Sequence, residues 1–213
     1  MSDVVSGTMD LEEEEEVPAQ NVFIIDAAPK GPKFRAASLF GTLGEEELLE
    51  AVQTLVALRE ASEEEKLRGD DDCPPPPPLK FYISTWGGDV HGMFAIYDLM
   101  RVVQEGHEIE TIGLGKVMSA GVLLLAAGTK GIRKIGKNTR VMLHGIRALH
   151  HGGVASLENE MSETRWIQEQ MIQALVTETK LTKRKLQKMI DSKVDVYLNA
   201  EEAVALGIAD III

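Results

Sequence analysis

The chain has 213 residues, 44% of them hydrophobic and 26% charged, with a single cysteine; that is enough length for one domain with a sizeable core, and it rules out an intrachain disulfide or a CxxC zinc site. The formal charge of −12 is unevenly placed: residues 81–213 hold 15 basic and 15 acidic side chains, whereas residues 1–80 hold 7 and 19. The excess is therefore N-terminal, nothing resembles the clustered positive charge of a nucleic-acid surface, and no apolar run reaches membrane-spanning length.

Residues 1–30 read as an acidic, disordered extension, because the glutamates at 12–16 repel one another and offer nothing to bury. The extension lacks the basic flank and apolar core of a secretory signal, and with one cysteine the expected location is cytoplasmic. Toward its end 21–26 is a short strand candidate, and 27–33, with two prolines and a glycine, is a loop that crosses into the folded domain. Residues 31–213 are read as the folded domain. A strand is predicted at 34–41. From Gly44 a helix begins, with Glu45, Glu46 and Glu47 suited to its positive first turn and Leu48, Val52, Leu55 and Leu58 recurring as a buried stripe. It fades into the charged run 63–72, and the prolines at 74–78 form a stiff extended connector. Residues 79–84 predict a strand that runs into Thr85-Trp86-Gly87-Gly88, where adjacent glycines allow a turn, a close backbone approach or positive φ. Met93, Ile96, Tyr97 and Met100 then mark an amphipathic helix that ends near Gly106.

The stretch 111–128, TIGLGKVMSAGVLLLAAG, carries the chemistry. Its first four residues read as a buried strand broken by Gly115, and Ser119 then precedes an apolar helix. A strand-to-helix corner exposes one hydroxyl and aims the following N–H groups, with the positive end of the helix dipole, at one point. A nucleophilic serine needs that arrangement. The plainer reading is an N-cap serine, so the chemistry requires a base, an orienting acid and a second amide donor from elsewhere.

After a turn at 128–131 come short strands at 132–135 and 138–144. His144 closes the second and is the candidate base, while His91, His107, His150 and His151 fall in loops or helix starts and read as solvated. There is no HExxH or Cys/His cluster, so no metal is expected. A long helix at 154–180, a second at 183–190 capped by Thr182, a loop at 191–195, a helix at 200–206 stopped by Gly207 and a strand at 208–213 complete an alternating α/β chain. In this reading Ser119 attacks a carbonyl, His144 takes its proton, and Asp195 holds the imidazole, with the amides of Gly88 and Ala120 binding the oxyanion. Spacing alone does not bring these residues together.

In order along the chain, FYISTWGGDVHGMFAIYDLM, IGLGKVMSAGVLLLAAG, RVMLHG and DVYLNAEEAVALGIAD resemble the ClpP family of self-compartmentalising serine proteases. The similarity runs from about Phe34 to the C-terminus and is strongest between Phe81 and His144. It implies a ClpP/crotonase-like fold of repeated β-β-α units with a protruding helix-plus-strand handle, beginning at Gly152. It further implies a serine endopeptidase that hydrolyses unfolded proteins or peptides in a homo-oligomer of stacked heptameric rings, fed by a Clp ATPase acting as unfoldase. The subunit itself would need no cofactor, and it has no GxxxxGK[ST] motif for ATP. The resemblance gives Ser119 as nucleophile, His144 as base and Asp195 as acid; Asp191 is the rival for the acid, and Asp195 is preferred because it lies at the family's distance from the AEEA helix. It gives Gly88 and Ala120 as oxyanion donors, and Trp86, Gly87, Gly152 and Gly153 as substrate-binding positions. Trp86 stands where the family usually has proline, which implies a narrowed or reshaped groove, and Met118 stands where it has alanine. The rival readings are a Ser–Lys protease of the same superfamily using Lys116, a non-catalytic ring subunit, and a crotonase-like enzyme that binds coenzyme A.

Overall fold

The computed structural model describes residues 35–68, 77–191 and 194–213. The extension read at 1–30, its strand and loop candidates, the end of the charged run and most of the proline connector lie outside those residues. β1 (Ala36–Leu43), β2 (Leu79–Gly88) and β3 (Ile109–Met118) lie side by side and parallel, linked through α1 (Glu45–Arg68) and α2 (Val90–Gln104). Parallel neighbours cannot be joined by a tight hairpin, so each link carries a helix. β4 (Lys134–Ile135) and β7 (Ile211–Ile212) continue the sheet in the order β1-β2-β3-β4-β7. β5 (Arg140–Leu143) pairs in parallel with β3 and antiparallel with β6 (Val196–Leu198). The remaining helices are α3 (Ala120–Ala126), α4 (Val154–Glu178), α5 (Lys183–Asp191) and α6 (Ala200–Ala205). The chain is the mixed α/β fold that its alternating pattern predicts.

Local sequence explains the elements. In β2, Leu79, Phe81, Ile83 and Thr85 are buried while Lys80 and Trp86 face out, the period-two signature of a pleated strand. β3 is buried on both faces from Ile109 to Gly113, as expected of a central parallel strand. In α1, Ala51 and Leu55 are fully buried, and Leu48, Val52 and Leu58 pack against the core as a stripe. Asp89 caps α2 through the amides of His91 and Gly92, and Asn199 and Glu202 form a capping box on α6. Burying a Leu, Ile or Phe such as Leu55, Ile83 or Phe81 contributes about 1.5–3 kcal/mol relative to exposure.

Several expectations change. Gly115 does not end β3. It takes φ +66, and the β2–β3 register slips around it, with Ile83 facing Gly113 and Thr85 facing Val117. Extra β3 residues bulge there, a conformation glycine adopts without a Cβ penalty. The bulge divides the strand between partners: Ile112 and Gly113 pair with β4, and Lys116, Val117 and Met118 with β5. Gly87 and Gly88 likewise remain inside β2, paired with Thr42 and Leu43 rather than forming a turn. A Cβ on Gly88 would fall 2.1 Å from the Leu43 carbonyl oxygen, so this approach requires glycine. His107 is not solvated: its side chain is 2% exposed and lies 2.7 Å from Glu63 Oε1, because α1 runs far enough to cover it. α4 protrudes as a helix whose buried residues begin only at Ile167. Residues 144–153 before it carry no strand. The pairings of β5 with β3 and β6 reach Met142 and Leu143, and among the described residues the segment beyond has no ladder partner.

Candidate active site

Ser119 joins β3 to α3 with φ 54 and ψ −119, and among the described residues it is the one non-glycine at positive φ. Such a conformation costs about 1–3 kcal/mol and persists only where the surroundings enforce it. They do so here. The Ser119 N–H donates to the Met142 carbonyl at 2.8 Å, and its own carbonyl accepts from Val122 N–H at 3.0 Å. Gly87 lies against the side chain so closely that a Cβ there would be 2.5 Å from Ser119 Cβ. Thr85, fully buried, fixes this stretch of β2: its hydroxyl donates to the Gly41 carbonyl at 2.7 Å and accepts from Gly87 N–H at 3.0 Å. The plain capping role fails, since the Ser119 side chain makes no cap hydrogen bond. The Ala120 amide, first in α3, has no intrahelical acceptor available to it.

The far end of α3 is anchored by cations, which favour the negative end of a helix. Arg133, 4% exposed, donates to the Ala126 carbonyl at 3.0 Å and to the Glu178 carbonyl at 2.8 Å, and binds both carboxylate oxygens of Asp210 at 2.7 and 2.6 Å. The Arg133 hydrogen bond is the chief reason the Asp210 carboxyl lies below the usual carboxylate range. Arg101 donates to the Ala127 carbonyl and, at 3.0 Å, to the buried Glu178 carboxylate. Glu178 also accepts from Tyr97 Oη at 2.9 Å, and burial together with that bond pushes the Tyr97 phenol up to about 12.

His144 follows β5 directly. The parallel register pairs Met118 with Met142, so the residues just past the two strand ends, Ser119 and His144, approach the same place. Both line a cavity of about 390 Å³, together with Trp86, Gly88 and Ala120. Among the described residues no hydrogen bond joins Ser119 Oγ to His144. His144 Nδ1 instead faces the Gly145 carbonyl at 2.5 Å. A carbonyl only accepts, so Nδ1 carries the proton in the neutral ring and Nε2 keeps its lone pair, the tautomer a base for serine requires.

Asp195 and Asp191 line a second cavity of about 520 Å³, which shares the wall formed by His144, Gly145, Ile146 and Arg147 with the first. The Asp195 carboxylate accepts from Arg147. Gly152 and Gly153 lie outside the walls of both cavities. Lys116 Nζ sits 4.7 Å from the centre of the Trp86 ring, a cation–π contact to a residue that lines the first cavity. Arg147 and Thr85 were not singled out in the sequence. The alternation of β2 could have placed Thr85 inward; Arg147 lies in an unpatterned stretch with no signal to find it. Among the described residues no group of His, Cys, Asp and Glu is placed to hold a metal ion, and no helix is long and apolar enough to cross a membrane.

A family model described as Clp protease matches residues 71–213. The ATP-dependent Clp protease proteolytic subunit of Deinococcus radiodurans is 33% identical to this chain over 135 residues, covering 63% of this chain and 64% of that protein. The matched stretch thus spans just under two thirds of that relative's length.

Proposed function

This chain belongs to the Clp protease family, and from that premise we propose that it is a serine endopeptidase whose nucleophile is Ser119. One observation carries the reading: the hydroxyl sits at a strained strand-to-helix corner and shares a cavity with His144. In the reaction, His144 Nε2 accepts the Ser119 proton as Oγ bonds to the scissile carbonyl carbon. The carbonyl electrons move to oxygen, where the amides of Gly88 and Ala120 receive the negative charge. The tetrahedral adduct collapses, the C–N bond breaks, and the imidazolium gives its proton to the leaving amine. Water, deprotonated by His144, then releases the acyl group and restores Ser119. Asp195 stabilises the imidazolium, with Asp191 in the same cavity as the alternative acid. Lys116 is occupied with Trp86, which favours His144 over it as the base. Trp86 and Gly87 would border the substrate chain, Gly87 by setting the height of Ser119, and Gly152 and Gly153 would meet it at the base of α4.

We further propose that the chain acts in a homo-oligomer of stacked rings, heptameric as its family implies, with protein or peptide substrates delivered by a Clp ATPase. Exposed apolar side chains at Leu149, Val154, Met161 and Trp166, along the protruding part of α4 and the segment before it, support an assembly surface there. The proposed location is cytoplasmic, with no cofactor bound by this subunit.

Labelling with a fluorophosphonate tests the assignment. The adduct should map to Ser119 and be absent in Ser119→Ala, and peptide cleavage should fall by at least ~10³-fold in that variant and in His144→Ala. A non-catalytic ring subunit is the second reading, favoured by the diversion of Asp195 to Arg147. Failure of Ser119 to label in the assembled protein would establish it.

A further inference from the structure

Antiparallel pairing of β5 with β6 ends at Leu143 and Val196. One more step of that register would set His144 opposite Asp195, and both side chains line the second cavity. Among the described residues no hydrogen bond joins them. The Asp195 carboxylate accepts from Arg147, and His144 Nδ1 turns to the Gly145 carbonyl. The acid thus has two candidate partners three residues apart on one segment.

Other charged groups do not account for this choice. His144 is faced by Asp89 at the start of α2, by Asp191 at the end of α5, by Asp195, and by Arg147 on its own segment. Asp89 is occupied with the amides of His91 and Gly92. Among the residues lining the two cavities, Arg147 is the one Arg or Lys. Its side chain is 69% exposed, and residues 144–150 form no helix or strand, so it can leave Asp195 without disturbing the core.

We propose that Arg147 is a positioning residue for Asp195: in this conformation it holds the carboxylate away from His144, and its departure hands the carboxylate to the imidazole. The proposal rests on the Ser119–His144–Asp195 reading above. A guanidinium beside the carboxylate cancels the charge that would stabilise an imidazolium, so the protein rests with a correct tautomer but an unsupported base. An exposed ion pair is weak and screened by salt, so the balance between the two partners is close and the gain on release is about two- to fivefold.

The test uses the full chain and the rate of fluorophosphonate labelling at Ser119. Arg147→Met should label about two- to fivefold faster than wild type at low salt, and Arg147→Lys, which keeps the charge, should stay near the wild-type rate. The gain should vanish when Asp195→Asn is added. Raising salt should speed the wild type toward Arg147→Met while leaving that variant nearly unchanged. Labelling of Ser119 in Arg147→Met at or below the wild-type rate overturns the proposal, as does a gain that survives in the Asp195→Asn background. Absence of labelling at Ser119 in every variant overturns the nucleophile assignment, and this proposal with it.

Discussion

Ser119 and Arg147 border the same cavity but are held in opposite ways. The serine is fixed on every side: its amide by Met142, its carbonyl by Val122, its side chain by Gly87, and the far end of its helix by Arg101 and Arg133. The segment from His144 to Gly153 has no helix or strand and is largely exposed. The strain at Ser119, the proposed nucleophile, is therefore supported by the core, whereas His144 and Asp195, the proposed base and acid, make a few contacts that can be exchanged. Geometry that is costly to hold is built in, and the contacts on which the proposed Arg147 exchange depends are left adjustable.

The contrast is sharpest where a single atom is added. Gly87→Ala puts a Cβ 2.5 Å from Ser119 Cβ at a φ of +90. If that clash displaces Ser119 by about 1 Å, the labelling rate should fall by ~10²-fold or more. Ala148→Ser, on the exposed segment, should change it by less than about twofold. Equal sensitivity at both places would remove the distinction.

Behind the corner, Arg133→Met removes the guanidinium from two carbonyls and from Asp210, which keeps only the backbone N–H groups of Gly131 and residue 133, and should cost about 3 kcal/mol of stability in chemical denaturation. The acid limb should change with it. A carboxyl depressed by folding contributes stability that is present above about pH 3.9 and lost as pH falls through its folded value. The variant should accordingly be less acid-sensitive between those values than wild type.

Tyr97 gives the opposite sign. Its folded-state value of about 12 exceeds the ordinary 10, so its contribution is full below about pH 10 and lost as pH rises toward 12. Ultraviolet titration should show a tyrosine phase near pH 12, and Tyr97→Phe should abolish it. A late phase that persists would place it elsewhere. The smallest effect is expected at Lys116→Met, which removes a cation–π contact worth about 0.5–1 kcal/mol at an exposed site. If Trp86 borders the substrate, the KM for a peptide should shift by about two- to fivefold with kcat unchanged.

The sequence revealed Ser119 because its signal is local: an apolar strand, one hydroxyl followed by the small residues Ala120 and Gly121, then an apolar helix. His144 was legible as a polar residue closing an apolar strand. The partner chosen by Asp195 was not, since it depends on a register between β5 and β6, strands far apart in the chain, and on an arginine in an unpatterned stretch. His107 was misjudged for a related reason. Whether a histidine after a helix meets water or Glu63 depends on where a different helix ends, and no periodicity around His107 records that. Gly115 had a clear local signal for departure from regular φ, but a bulge and a strand end look alike until the neighbouring strands are in place.

That bulge has a consequence for how the chain can change in length. β3 keeps alignment with β4 through Gly113 and with β5 through Met118, so the stretch between them works as a gauge block separating two assemblies. Adding or deleting one residue there would turn Ser119 to the other face of the sheet. An insertion library should accordingly return almost no functional clones between 113 and 118.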